Sequence, residues 1–377
     1  MRDKLYFAAR KRGKLANMLN SKGIFARVLP SVLCLGLLAS GAAQSSRTSA
    51  GAEEPLRSGQ ALLKQGRLAE AEVELEKARS LSPNDCQLLT LLGKVKGRLG
   101  KSQEAIALFQ RVIELKPKSA EAHLDLAIVY SDAEMPAQGL EETTRALALD
   151  PQLSLAHLNR ARILDDLHRE QEARAEFTTA CRLLPNDSDC FFYWSFVERA
   201  LGDFAKETIV LQRAVKLQPE RTKAWVMLGR SLLAQARKEE AVAALRQALL
   251  LDPDSSEATY MLSHTLAGGD PQEAKRLREQ FLALRQKNAA LEHSKTLGNQ
   301  AYGAYTQQDW PTAIRYYKEA LDSCGECEIQ ATLHKNLGLT LCRAGNLEEG
   351  ASELHKALAL NPNDSEVVKA LAMLEQH

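Results

Sequence analysis

Residues 222–255, TKAWVMLGRSLLAQARKEEAVAALRQALLLDPDS, decide the fold. Two Ala/Leu-rich stretches with apolar residues three and four apart flank a polar middle, and the segment closes on Pro253. That spacing puts the apolar side chains on one stripe of each of two helices. A proline after the second stretch cannot continue a helix, and the polar residues behind it can cap the next one.

Working outward, the phase returns. Pro83, Pro117, Pro151, Pro185, Pro219 and Pro253 follow one another at intervals of 34 residues. Small residues recur at the eighth position of each unit (Gly59, Gly93, Ala127, Ala161, Gly229, Gly338), at the twentieth (Ala71, Ala105, Gly139, Ala173, Ala241) and at the twenty-seventh (Ala78, Ala146, Ala180, Ala214, Ala248, Ala357). Larger ones recur at the twenty-fourth (Leu75, Phe109, Phe177, Leu211, Leu245, Leu354) and fill the space the small ones leave. The pattern Trp225-x-x-Leu228-Gly229-x-x-Leu232, with Ala241, Leu245, Ala248 and Pro253, resembles the tetratricopeptide repeat family.

The resemblance implies an all-α, right-handed superhelical solenoid of helix-turn-helix units. Repeats fall at 52–85, 86–119, 120–153, 154–187, 188–221, 222–255, 256–290, 291–330 and 331–364, with a capping helix over 365–377. A block of six or seven repeats (seven over 52–290) is then followed by one of two (291–364). Glu207 stands where a small residue belongs, so the fifth repeat is expected to pack loosely. No Gly or Pro interrupts Gln272–Leu297, so one long helix can replace the usual turn between repeats seven and eight. Repeat eight carries an insertion between Tyr302 and Trp310.

The chain has 377 residues, 45% hydrophobic, 26% charged and 5% aromatic, which excludes wholesale disorder and a multi-span membrane protein. Its net charge of +1 is partitioned: residues 1–43 carry +7 and the remainder −6. An acidic body has no basic patch for phosphates, which argues against nucleic acid. Basic residues ending at Lys22 and Arg27 precede the apolar run Val28–Ala43 and its small-residue end, the pattern of an export signal over residues 1–43. Met18 is an alternative start, and an uncleaved membrane anchor is the competing reading of the same run. Residues 44–51 read as a polar linker. The location implied is the periplasm or cell envelope, or outside the cell.

In the family, positions 2, 5, 9, 12 and 13 of each repeat face a concave groove that holds a peptide or a partner helix. In repeats five to seven these positions give Phe192, Phe196, Arg199, Val226, Arg230, Tyr260 and His264. Five aromatics crowd into Phe191–Phe196; Phe191 and Trp194 belong to the core, whereas Phe192 and Phe196 are candidate anchors. The competing reading makes the whole cluster core. Lys295, Asn299 and Asn336 match part of the carboxylate clamp found in chaperone adaptors of this family, but Glu366 and Ala370 occupy the places of its remaining basic residues.

Cys181 and Cys190 flank the Pro185 turn and can form a disulfide, or remain buried thiols. Cys324 and Cys327 form a CxxC pair, which suits a disulfide between the two or to Cys342 better than catalysis or half a zinc site. A thiol-redox or metal-carrying protein acting through that pair is the rival function. No Gly-rich phosphate loop, H-E-x-x-H or G-x-S-x-G is present. The histidines show no recurring carboxylate partner and read as surface or groove residues. The sequence therefore describes a noncatalytic, exported scaffold that takes no cofactor or metal and binds a protein or peptide, for an envelope assembly or secretion process.

Overall fold

The computed structural model describes residues 50–375, which form helices and short turns. The proposed signal, its Met18 start and most of the linker lie outside the described residues. Eighteen helices run in chain order among the described residues: α1 Ala50–Lys64, α2 Leu68–Leu81, α3 Cys86–Arg98, α4 Ser102–Leu115, α5 Ala120–Asp132, α6 Pro136–Leu149, α7 Ser154–Asp166, α8 Glu170–Leu183, α9 Ser188–Ala200, α10 Phe204–Leu217, α11 Thr222–Ala234, α12 Lys238–Leu251, α13 Ser256–Leu266, α14 Pro271–Thr306, α15 Trp310–Cys324, α16 Gln330–Arg343, α17 Leu347–Leu360 and α18 Ser365–Leu374. They fall into two compact units, one ending at Ala236 and one beginning at Arg237. None is long and apolar enough to cross a membrane.

In the first unit the repeat sequence dictates each junction. Polar residues after the prolines cap first helices: Asp85 accepts from the Gln87 and Leu88 amides, Ser119 from Ala122 and Asp187 from Cys190. Each first helix ends in a left-handed residue, Gly66, Gly100, Glu134, His168, Gly202 and Ala236 in turn. The amide after it reaches back five residues, as in Lys101 N to Lys96 O at 2.9 Å and Asp203 N to Glu198 O at 2.9 Å. Glycine takes this conformation without a Cβ penalty; Glu134, His168 and Ala236 take it against one of about 1 kcal/mol.

Helix pairs close through small-against-large contacts. A Cβ on Gly93 would lie 2.8 Å from the Phe109 ring, and one on Gly59 2.7 Å from Leu75. Both partners are fully buried, so the eighth and twenty-fourth repeat positions interlock as their sizes require. The disulfide Cys181–Cys190 joins the end of α8 to the start of α9 within a core that includes Phe177, Trp194 and Val197.

In the second unit α14 runs unbroken for 36 residues. The expected boundary at residue 290 therefore falls inside a helix, where no Gly, Pro or capping residue stops the backbone hydrogen bonds. Leu297 and Ala301 at its C-terminal end pack with Tyr317, Leu333, Leu337 and Leu341. Residues after Tyr302 extend that helix before the turn at Gln308, and α18 caps α17 through Val367 and Leu371.

Candidate peptide-binding face

In the first unit, α9 presents Phe192, Tyr193 and Phe196 as a surface cluster. The Phe192 and Phe196 rings meet edge-on at 5.3 Å, and Tyr193 lies 5.7 Å from Phe192. Phe196 is 39% exposed while Trp194, two residues earlier, is buried at 7%. A helix turns about 100° per residue, so FFYWSF splits between the core and the outside. Arginines frame the rings: Arg162 of α7 lies 4.8 Å over Tyr193, and Arg221, the residue just before α11, lies 4.5 Å over Phe192 and bonds Asp189.

Arg199 and Glu207 are not separate features. The Glu207 side chain has no exposure, and its Oε1 accepts from Arg199 Nε at 2.7 Å. The fifth repeat is thus closely packed at this position, contrary to the sequence expectation, because Arg199 reaches eight residues along the chain to neutralise the intruding carboxylate. Burial nonetheless raises the Glu207 pKa, opposed by Arg199. Burial and the neighbouring Arg199 pull the Arg230 guanidinium down to about 10, against the opposing effect of Glu207. Val226 is buried at 4% exposure, so it supports the face rather than lining it. In the second unit Tyr260 is exposed and packs against His264 at 4.5 Å and Phe281 at 5.1 Å.

The partial clamp is engaged from within. Lys295 Nζ lies 3.2 Å from Glu328 and 3.3 Å from Glu292, and these carboxylates raise its pKa, Glu328 foremost. Asn336 bonds the hydroxyl of buried Tyr317, whose pKa burial pushes up to about 12, and Asn299 is exposed. Cys324 and Cys327 are disulfide-bonded with their Cα atoms 5.6 Å apart, and Cys324 is packed into the core.

Three histidines have recurring carboxylate partners that the sequence reading missed. His123–Glu142 at 2.6 Å, His157–Glu176 at 2.7 Å and His334–Glu353 at 2.5 Å are each 19 residues apart. They occupy the fourth and twenty-third repeat positions, where repeat two has Leu89 and Leu108 and repeat five has Phe191 and Val210. These imidazoles are therefore interhelix ties, not groove liners. Glu72, Glu76 and Glu104 form the one cluster of metal-ligating groups among the described residues, and the Lys96 ammonium already occupies it at 3.0, 2.9 and 2.5 Å.

Comparison with known families covers most of the solenoid. Residues 200–328 match the cytochrome c-type biogenesis protein H TPR domain, and residues 56–85, 90–134 and 299–365 match tetratricopeptide repeat models. The chain is a tetratricopeptide repeat protein. This TPR chain is 28% identical over 219 residues to a peroxisomal targeting signal receptor of Candida albicans, covering 56% of this chain and 37% of the receptor's length. It shares its fold with PilW, a type IV pilus biogenesis factor, at a TM-score of 0.52 and 16% identity over 57% of this chain and 99% of PilW. YrrB, a TPR protein with an unusual peptide-binding site, aligns at a TM-score of 0.44 and 22% identity over 47% of this chain and 91% of YrrB.

Proposed function

We propose that this TPR chain is a noncatalytic, exported scaffold that captures a protein or peptide on the face formed by its first helices. The observation that carries the reading is the aromatic cluster on α9: Phe196 is 39% exposed beside Phe192 and is framed by arginines. Large aromatics left at a surface and flanked by planar cations are the composition of an interaction hot spot. Two disulfides among the described residues support an oxidising location, and the apolar run ending at Ala43 supports export to it. The likeness to a cytochrome c biogenesis TPR domain and to a pilus biogenesis factor supports an envelope process. The rival thiol-redox reading has burial of Cys324 against it.

The test is affinity capture on the intact protein beside its F192S/F196S variant, with circular dichroism on both. A partner retained by the parent and lost by a fully helical variant supports the reading; equal retention by both refutes the α9 face. N-terminal mass after expression tests export, since processing after Ala43 removes the apolar run and an intact run indicates an anchor.

A further inference from the structure

Residues 296–308 carry no charged side chain, in a chain that is 26% charged. They form the end of α14 and most of the turn that leads to Trp310 at the start of α15. Asn299, Tyr302, Gly303 and Thr306 stand at i, i+3, i+4 and i+7 of α14, so they share one stripe of that helix. Tyr302 is 60% exposed, and its ring lies within 13° of parallel to that of Tyr305, 6.3 Å away. Tyr305 in turn meets the Trp310 ring at 5.3 Å, edge to face. Among the described residues, the Tyr302 hydroxyl, the Trp310 indole N–H and the Asn299 amide have no hydrogen-bond partner. The nearest cation on the stripe, Lys295, is one turn earlier and is held by Glu328 and Glu292.

Gly303 is the residue here that the fold does not require. Glycine weakens a helix interior, so it needs a reason to stand there. Gly298, five residues earlier, has one in packing, since a Cβ on it would lie 3.3 Å from Leu333. A Cβ on Gly303 would meet nothing within 4 Å. Gly303 therefore leaves open backbone beside an exposed aromatic ring, the form that suits the close approach of a ligand.

The chemistry of the stripe selects that ligand. With no free charge on the stripe, an acidic or basic peptide finds no ion to pair. An apolar helix would bury the Asn299 amide and the Tyr302 hydroxyl without partners. A proline-rich peptide presents carbonyls but few N–H groups, and would leave the Asn299 carbonyl oxygen unpaired. A sugar ring meets all these demands. Its hydroxyls both donate and accept, as the amide and phenol of the stripe do, and its C–H face suits the negative face of an aromatic ring. We propose that the end of α14 carries a binding site for an uncharged oligosaccharide, with one sugar ring stacked on Tyr302 over Gly303 and its hydroxyls bonded to Asn299. This site uses none of the α9 aromatics and is a function beyond protein capture.

The experiment is an array of chitotetraose, cellotetraose, mannotetraose and maltotetraose, with tetragalacturonate as the charged control, probed with the intact protein. Calorimetry then measures the strongest sugar against the variants, with decaproline as the competing ligand. The expected result is binding of at least one uncharged sugar in preference to tetragalacturonate, equal in the parent and in F192S/F196S. Y302A should weaken it at least about tenfold and N299A about threefold, as the loss of a stacking ring and of one hydrogen bond. G303L should abolish it while remaining as helical and as heat-stable as the parent, because nothing in the fold opposes a side chain there. No bound sugar, preference for tetragalacturonate, or decaproline bound in place of the sugars overturns the proposal. Sugar binding retained in Y302A or G303L overturns it too, and a G303L less stable than the parent would assign the glycine to packing and remove the open floor the site needs. Sugar binding lost in F192S/F196S would move the ligand to α9 and overturn the assignment to α14, whereas failure of sugar binding alone leaves the α9 reading standing.

Discussion

Where the second repeat stacks on the first, the Glu72 carboxylate sits between two ammonium groups, Lys96 at 3.0 Å and Lys101 at 2.7 Å. Where the fifth stacks on the fourth, the Arg174 guanidinium sits between two carboxylates, Glu198 and Asp203, the latter at 3.1 Å. The three positions are the same, with partners 24 and 29 residues away in both places, and every charge is exchanged. Exposure matches too: the inner partner is buried at 5% for Lys96 and 0% for Glu198, and the outer is half-exposed at 44% for Lys101 and 41% for Asp203. At the two contacts between these, the first two of the three positions are filled by Ile106 with Tyr130 and by Leu140 with Leu164. An apolar pair stabilises stacking but accepts any similar neighbour. An ionic triad accepts only its complement, since the wrong order of repeats would set Glu72 against Glu198 or Arg174 against Lys96. The two contacts thus act as keys in a chain whose repeats are otherwise similar enough to mispair.

Exchanging a key should have the largest effect. E198K places a buried ammonium against Arg174 and should cost more than about 4 kcal/mol, read as loss of hydrogen-exchange protection in α8 and α9. Adding R174E and D203K rebuilds the triad of the first contact and should restore all but about 1 kcal/mol, because Trp194 Nε1, which donates to Glu198 at 2.6 Å, loses its acceptor. No recovery in the triple variant would show that local packing, not charge order, sets the contact. K96A should cost somewhat less, about 3 kcal/mol, since Glu104, one of the carboxylates it strands, is 56% exposed and can turn to water.

A polar tie inside one repeat should be simpler to replace than a key between two. E142V alone leaves buried His123 without its partner and should cost about 2 kcal/mol in denaturant unfolding. H123L/E142L copies the Leu89 and Leu108 of repeat two and should be close to neutral, because a well-packed apolar pair replaces a buried polar one at little cost. A double variant as damaging as the single would raise the His–Glu pair to the rank of the triads.

Much of the fold was legible because it depends on size at fixed spacing: the prolines, the small residues at the eighth position and the large ones at the twenty-fourth all show as recurrences of like with like. The triads do not, since Glu72 and Arg174 hold one position with opposite charges and no comparison by similarity joins them. The His–Glu ties alternate with apolar pairs and hide in the same way. Left-handed turns at Glu134, His168, Ala236 and Gln308 were equally silent, because the repeat supplies glycine at only some of its turns. On the candidate face, the position of Phe196 was readable from the period. The engagement of Arg199 was not, because Glu207 reads as a misfit until its partner is seen across the turn.

The outer arms of the two triads should matter least. Lys101–Glu72 and Arg174–Asp203 each have a half-exposed member, so a double-mutant cycle on either should give at most about 1 kcal/mol, reduced further in high salt. At the first contact the Lys101 hydrogen bond, helped by Lys96, holds the Glu72 carboxyl below its ordinary value of 4.5 against the opposing effect of burial. A lowered carboxyl pKa stabilises fully above the unfolded value and stops doing so as the pH falls through the folded one. Coupling between Lys101 and Glu72 measured from pH 7 downward should therefore be constant to about pH 4.5 and decline below it. Coupling that declines well above that pH would mean that Glu72 is not held by its lysines, and the first key would then rest on Lys96 with Glu76 and Glu104 instead.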